Sequence, residues 1–198
     1  GKSVYLKQVA LIVYLAQVGS FVPATSCVLA PRDFLCSRVR SCESAQVQQS
    51  SFGMDVAQVS YALKHVTKRS LFVCDEFGKG TAPKDGMALL AALVRYLERL
   101  PQAPLCIVTT HYTEIAHKGL VMESARLALQ AMRVQYEVDK KGELTFLYKI
   151  GPGVSECSFG VECARRAGVP QAVLERAEVV RLCLTQGSAI PPLDTTLA

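Results

Sequence analysis

Leu71-Phe72-Val73-Cys74-Asp75-Glu76 is an unbroken apolar run that ends in two acids. Bounded by Ser70 and Asp75, with no polar residue at alternate positions, it predicts a central parallel strand covered on both faces. Carboxylates at the end of a buried strand are costly unless a cation or a proton-transfer role meets them. A solvated strand end is the alternative reading of the same two residues. At the other end of the sequence stands Gly1-Lys2-Ser3, directly ahead of apolar residues at helical spacing. At a helix start this triplet sets an ammonium against phosphate groups and a hydroxyl against Mg²⁺. By itself the triplet is a weak signal. A complete phosphate-binding loop carries a strand and G-x-x-x-x ahead of it, so the sequence is expected to begin inside that loop.

The segments between these two landmarks, and after them, alternate in period. Leu6, Val9, Ala10, Ile12, Val13 and Ala16 predict a helix over 3–16 that Gly19 stops. Residues 24–40 read as irregular and strand-like. A second helix is expected over 54–67, through Met54, Val56, Val59, Ala62, Leu63 and Val66. Asp85 is expected to cap a third helix that runs to Leu100 and is ended by Pro101. Leu105-Cys106-Ile107-Val108-Thr109-Thr110 reads as another buried strand, which makes strand, helix, strand a parallel crossover unit. Residues 127–138 and 143–150 predict two strands around the turn signal Asp139-Lys140-Lys141-Gly142. Two helices are expected over 156–167 and 170–184, broken at Gly168, with Pro170 at the start of the second.

The 198 residues suffice for one sizeable core with a small appendage, and half of them are apolar, enough to fill it. No apolar stretch approaches the roughly 20 residues of a membrane span. The nearest, 9–16, is bracketed by Gln8 and Gln17. Because the sequence is read as starting inside a loop, no leader is assigned. The eight cysteines form no C-x-x-C pair and have no histidine at zinc spacing, so they are expected to be reduced and non-ligating, in a cytosolic or nuclear protein. The net charge of +5 is carried by basic residues scattered among acids, which is weak support for nucleic-acid contact by this segment.

Beyond Asp75-Glu76 come Phe77-Gly78-Lys79-Gly80-Thr81 and Asp85-Gly86, and beyond the next strand Thr110-His111-Tyr112. With Gly1-Lys2-Ser3, Gly19-Ser20-Phe21-Val22-Pro23-Ala24 and Ser50-Ser51-Phe52, these pieces resemble the ATPase domain of the MutS family of DNA mismatch-recognition proteins, in family order and over almost the whole chain. Arg38-Val39-Arg40-Ser41-Cys42-Glu43-Ser44 and Asp75-Glu76-Phe77-Gly78-Lys79-Gly80 look most like its meiotic branch, that of the fifth eukaryotic homologue.

The resemblance implies a three-layer α/β fold of the P-loop NTPase, ABC-like ATPase type with a mostly parallel sheet, followed by a small C-terminal helix-turn-helix dimerisation element. The expected division is an ATPase domain over 1–153, the helix pair over 154–184 and a disordered tail over 185–198. ATP and Mg²⁺ are the implied cofactors. Gly1 and Lys2 would cradle and neutralise the phosphates, Ser3 and Asp75 would hold the metal, and Glu76 would act as general base. His111 would contact the γ-phosphate or the attacking water; a satisfied histidine at a strand end is the plainer reading. Ser50 and Ser51 resemble a signature loop that completes the site of a partner subunit in trans, while Ser51 near a helix N-cap is physically sound too. Gly53 after Phe52 departs from the commoner Phe-Met of that loop.

The helix pair can be read as a DNA reader or as a partner clasp. Glu156, Glu162, Glu175 and Glu178 offset Arg165, Arg166, Arg176 and Arg181, which favours the clasp. The resemblance further implies a nuclear protein, a MutS-homologue partner in a heterodimer, no membrane, and DNA contact through N-terminal domains that this sequence does not contain. Two other functions are weighed: a non-hydrolysing pairing module, and another dimeric P-loop ATPase of chromosome maintenance or transport. A Leu-Ser-Gly-Gly signature and coiled-coil heptads would support the last, and neither is present.

Overall fold

The computed structural model describes residues 1–38, 51–121, 132–138, 144–154 and 159–192. Eleven elements lie among them: α1 (Lys2–Gln17), β1 (Leu35–Arg38), α2 (Ser51–His65), β2 (Leu71–Asp75), α3 (Pro83–Arg99), β3 (Leu105–Thr109), α4 (Glu114–His117), β4 (Met132–Val138), β5 (Leu144–Pro152), α5 (Gly160–Arg166) and α6 (Gln171–Gln186). They divide into two compact units, Gly1–Gln135 with Leu147–Val154, and Tyr136–Phe146 with Ser155–Ala198.

The first unit is built on a parallel sheet in the order β1-β2-β3, with Cys74 opposite both Arg38 and Val108. All five residues of β2 are buried, the four apolar ones as their unbroken run requires and Asp75 with them. Alternate side chains of the strand point to opposite faces. Phe72 and Cys74 enter a cluster with Val59 and Ala62 of α2 and Leu90, Leu93 and Leu97 of α3. Leu71 and Val73 meet Leu6, Ala10 and Val13 of α1 on the other face. The sheet is therefore sandwiched between helices, an α/β arrangement in three layers. Cys74 and Cys106 are hydrophobic filler here, since burial pushes both thiols up to about 12.

Several expectations shift. β3 is not buried like β2: Leu105 is half exposed, because β3 has a described neighbour on one side only. Asp85 does not cap α3. The helix starts at Pro83 with Ala82 as its cap, and Asp85 sits in the first turn, where its charge complements the helix dipole. Among the described residues of 24–40, Leu35–Arg38 form a strand, 39–40 lying outside them, and the preceding stretch leaves Val28 fully in solvent. β4 and β5 form a two-stranded sheet, while 127–131 and the turn at 139–142 lie outside the described residues.

In the second unit Phe159 packs edge-on against Tyr136 (4.6 Å between centroids) and Phe146 (5.7 Å), with the Arg166 guanidinium over Phe146. Helices α5 and α6 are separated by a turn in which Gly168 takes φ +80° and the Val169 N–H returns to the Ala164 carbonyl at 3.1 Å. That left-handed turn is a common helix stop.

Candidate active site

Three pieces of backbone converge at the C-terminal ends of the parallel strands, where open α/β sheets bind ligands. The first is the start of α1. Gly1 is its N-cap, and the N–H groups of its first turn have no partner within the helix, which suits an anion. Lys2 lies across the end of β3, its Nζ donating to the Thr110 carbonyl at 3.0 Å. Ser3 follows, half-buried.

The second piece is the end of β2. Asp75 is 3 % exposed; it accepts the Thr109 hydroxyl at Oδ1, and its main-chain carbonyl accepts from the Arg38 guanidinium. At Glu76 the chain turns out of the sheet with φ +48°, a left-handed conformation that is uncommon for a side-chain-bearing residue and typical of constrained sites. The turn is pinned by the Glu76 N–H, which donates to the Thr109 carbonyl at 3.1 Å. The Glu76 carboxylate meets Lys79 Nζ at 2.7 Å. Burial pushes Glu76 up, but the Lys79 hydrogen bond and the charges of Lys79 and Lys2 outweigh it, so the carboxyl ends below its ordinary range. It is ionised at neutral pH and can accept a proton.

The third piece follows β3. His111 packs at a tilt of 38° against Tyr112, 4.0 Å between ring centroids. Burial holds the imidazole below its usual pKa, and Lys79 and Lys2 add to this against the opposing charges of Glu76 and Glu114. It is therefore mostly neutral at pH 7, able to donate from one nitrogen and accept at the other. Tyr112 acts differently: its buried hydroxyl donates to the Gly78 carbonyl at 2.9 Å. Gly78 takes φ +89°, and a Cβ there would stand 2.6 Å from the Gly86 carbonyl oxygen. The loop after the acids is thus clamped between the first turn of α3 and Tyr112.

Lys2, Asp75, Glu76 and His111 are brought to one place. Ser51 opens α2, though its side chain, like all of Ser50, lies outside the described residues. The sequence gives no site role to four side chains that shape the site: Arg38, Thr109, Lys79 and Tyr148. Arg38 and Lys79 stand there only as members of motifs that carry the family resemblance. Tyr148 is 78 % exposed at φ +53°, and its ring lies 3.6 Å from where a Cβ on Gly1 would stand. No periodic pattern marks a residue like that. Among the described residues no three His, Cys, Asp or Glu side chains gather to hold a metal by themselves.

The family model for MutS domain V matches residues 1–185. The DNA mismatch repair protein MutS of Lactobacillus helveticus is 38 % identical over 198 residues, covering 100 % of this chain and 22 % of that protein. The MutS of Desulfovibrio desulfuricans is 40 % identical over 188 residues, 94 % of this chain and 20 % of its own. MutS protein homolog 5 of Saccharomyces cerevisiae is 33 % identical over 205 aligned positions, 96 % of this chain and 23 % of its own. The chain thus spans about a fifth of the length of these curated relatives. With its parallel α/β sheet and with acids and lysine gathered at the strand ends, the chain belongs to the MutS family, matching its domain V.

Proposed function

We propose that this chain is the ATP-binding and hydrolysing part of a MutS-type dimer, in which nucleotide turnover switches a DNA-bound clamp between states. The observation that carries the reading is the meeting of Lys2, at the start of α1, with Asp75, Glu76 and His111 at the ends of two adjacent parallel strands. Gly1 and the first-turn N–H groups of α1 cradle phosphate, and the Lys2 ammonium neutralises it. The donor set suits Mg²⁺, which takes oxygen ligands, few of them from protein: the Ser3 hydroxyl and the Asp75 carboxylate. The ion supplies neutralisation of charge on the phosphate oxygens. Glu76 takes the proton of the attacking water, and His111, neutral, hydrogen-bonds the water or the phosphate. Tyr148 offers an exposed ring beside Gly1 for a base to stack on. Within this reading the fold is of the P-loop NTPase type, with the ATPase domain over 1–153. The Ser50 and Ser51 segment completes the partner's site in trans.

Turnover tests it. In the full-length protein with its partner, Glu76→Gln is expected to bind ATP normally and to slow single-turnover hydrolysis by roughly 10²–10⁴-fold, the usual worth of a general base. An unchanged rate removes Glu76 from the role. Lys2→Ala is expected to weaken ATP binding itself.

A second reading, a pairing module over 154–184, is favoured by α6. Ala172, Val173, Ala177, Val180 and Leu184 line an open apolar groove on that helix. On α5 and α6, Glu162 pairs with Arg165 and Arg166 and Glu178 with Arg181, while Arg176, which lines the groove, donates to the Pro191 carbonyl. That leaves little free positive charge for a phosphate backbone and suits a protein partner. The two readings are compatible, since an ATPase completed in trans needs a clasp. The meiotic branch, the nucleus and a heterodimeric partner rest on the motif resemblance, alongside the likeness to yeast MutS protein homolog 5. DNA contact is assigned to parts of the longer protein beyond this domain. No helix among the described residues is long and apolar enough to cross a membrane.

A further inference from the structure

We propose that Arg38 is a positioning residue that locks the N-terminal part of α2 to the acid-bearing end of β2, so that the start of this helix and the Asp75-Glu76 pair move as one body. The inference rests on the ATPase reading above. Arg38 ends β1 and is 4 % exposed. Its Nε donates to Asp55 Oδ1 at 2.9 Å, its Nη2 pairs with Asp55 Oδ2, and its Nη1 donates to the main-chain carbonyl of Asp75. Three nitrogens of one planar group are thus shared between a helix and a strand end that are distant in sequence.

Only a guanidinium can do this. A lysine would bring one mobile point charge where the fork brings fixed, parallel bonds. Stability does not account for it, since burying such an ion pair commonly gains nothing over an apolar pair of similar volume. What the fork adds is geometry. Asp55 lies little more than one turn into α2, so fixing Asp55 fixes the helix start. A second contact backs the first: a Cβ on Gly80 would stand 2.8 Å from the Phe52 Cβ, so the loop after the acids abuts the first turn of α2, just ahead of Asp55. Any displacement of the start of α2 is therefore transmitted to Asp75 through Arg38, and to the Glu76–Gly80 loop through Phe52. Under the trans reading, this joins the half-site a subunit keeps to the half-site it lends.

The test uses the full-length protein with its partner and three measurements: equilibrium ATP affinity, single-turnover hydrolysis rate and melting temperature. Arg38→Lys keeps the charge and loses the fork. The double variant Arg38→Met with Asp55→Leu removes both charges together, so that no buried ion is left unpaired. Both are expected to bind ATP within about twofold of the parent and to hydrolyse it roughly 10–100-fold more slowly, the scale of an ångström misplacement of reacting groups. A parental rate in either folded variant overturns the proposal. So does a loss of rate that merely tracks lost melting temperature and lost ATP affinity, which is what a structural role alone produces. Glu76→Gln run in parallel separates the layers. If it slows hydrolysis while the Arg38 variants do not, only this inference falls; if it does not slow hydrolysis, the reading of the site falls and takes this inference with it.

Discussion

Replacing Gly86 by alanine sets two effects of opposite sign against each other. Gly86 lies within α3, where alanine is favoured over glycine by about 1 kcal/mol on helix propensity alone. The packing opposes this. A Cβ at Gly86 would stand 2.2 Å from the Gly78 carbonyl oxygen and 2.4 Å from the Tyr112 hydroxyl, both far inside contact distance. The Gly78 carbonyl is backbone, in a loop already at φ +89° that packs directly on Gly86, so it cannot yield by side-chain rotation. Overpacking of this kind costs about 1–3 kcal/mol. Prising Tyr112 from Gly78 leaves a buried donor and acceptor unpaired, at about 1–3 kcal/mol more. The net expectation is a loss of roughly 1–5 kcal/mol, or a melting temperature lower by roughly 2–20 °C for a chain of this size. Thermal and denaturant unfolding measure it. Gly160→Ala is the control, at the first turn of α5 with nothing within 4 Å, and is expected to be neutral or slightly stabilising. Should Gly86→Ala be as stable as the parent, the clamp between α3, the acid loop and Tyr112 is not there and the reasoning fails.

Three further outcomes are expected. Lys79→Met removes the hydrogen bond and charge that outweigh burial at Glu76, so the carboxyl should titrate higher and the acidic limb of the hydrolysis profile should move to higher pH; an unmoved limb would dissociate it from Glu76. His111 should titrate below the usual 6.5 by NMR. Its proton is held less tightly folded than unfolded, so stability should fall as pH drops from about 6.5 through the folded pKa, and His111→Gln should remove that dependence. On α6, Val180→Asp with Leu184→Asp should weaken partner association in sedimentation while leaving the melting of the α/β unit unchanged; retained association with lost DNA affinity would favour DNA reading by these helices.

What the sequence by itself determined is local. The run 71–74 pointed to a strand covered on both sides, because four apolar residues without alternation leave no face for water, and β2 is buried throughout. The 3.6-residue recurrence of Leu6, Ala10 and Val13 was enough to predict both α1 and the face it buries. Order and spacing of the short motifs were enough to find the family. Where two local signals competed, the weaker was mistaken for the stronger: Asp85 looked like a cap, but Pro83 carries the helical φ already and starts the helix earlier. Most of what sets the chemistry of the candidate site is long-range. Lys2 reaches Thr110 across 108 residues, Arg38 reaches Asp75 across 37, and Tyr112 reaches Gly78 across 34. The left-handed turn at Glu76, pinned to Thr109, and the placing of Tyr148 beside Gly1 belong to the same class, whereas the pairing of Glu76 with Lys79 is local. Periodicity reports which face of an element is apolar; it carries no information about which distant residue that element will meet. That is decided only when the layers pack, because the partner of a buried fork or hydroxyl is whatever the register of the neighbouring strand brings within 3 Å.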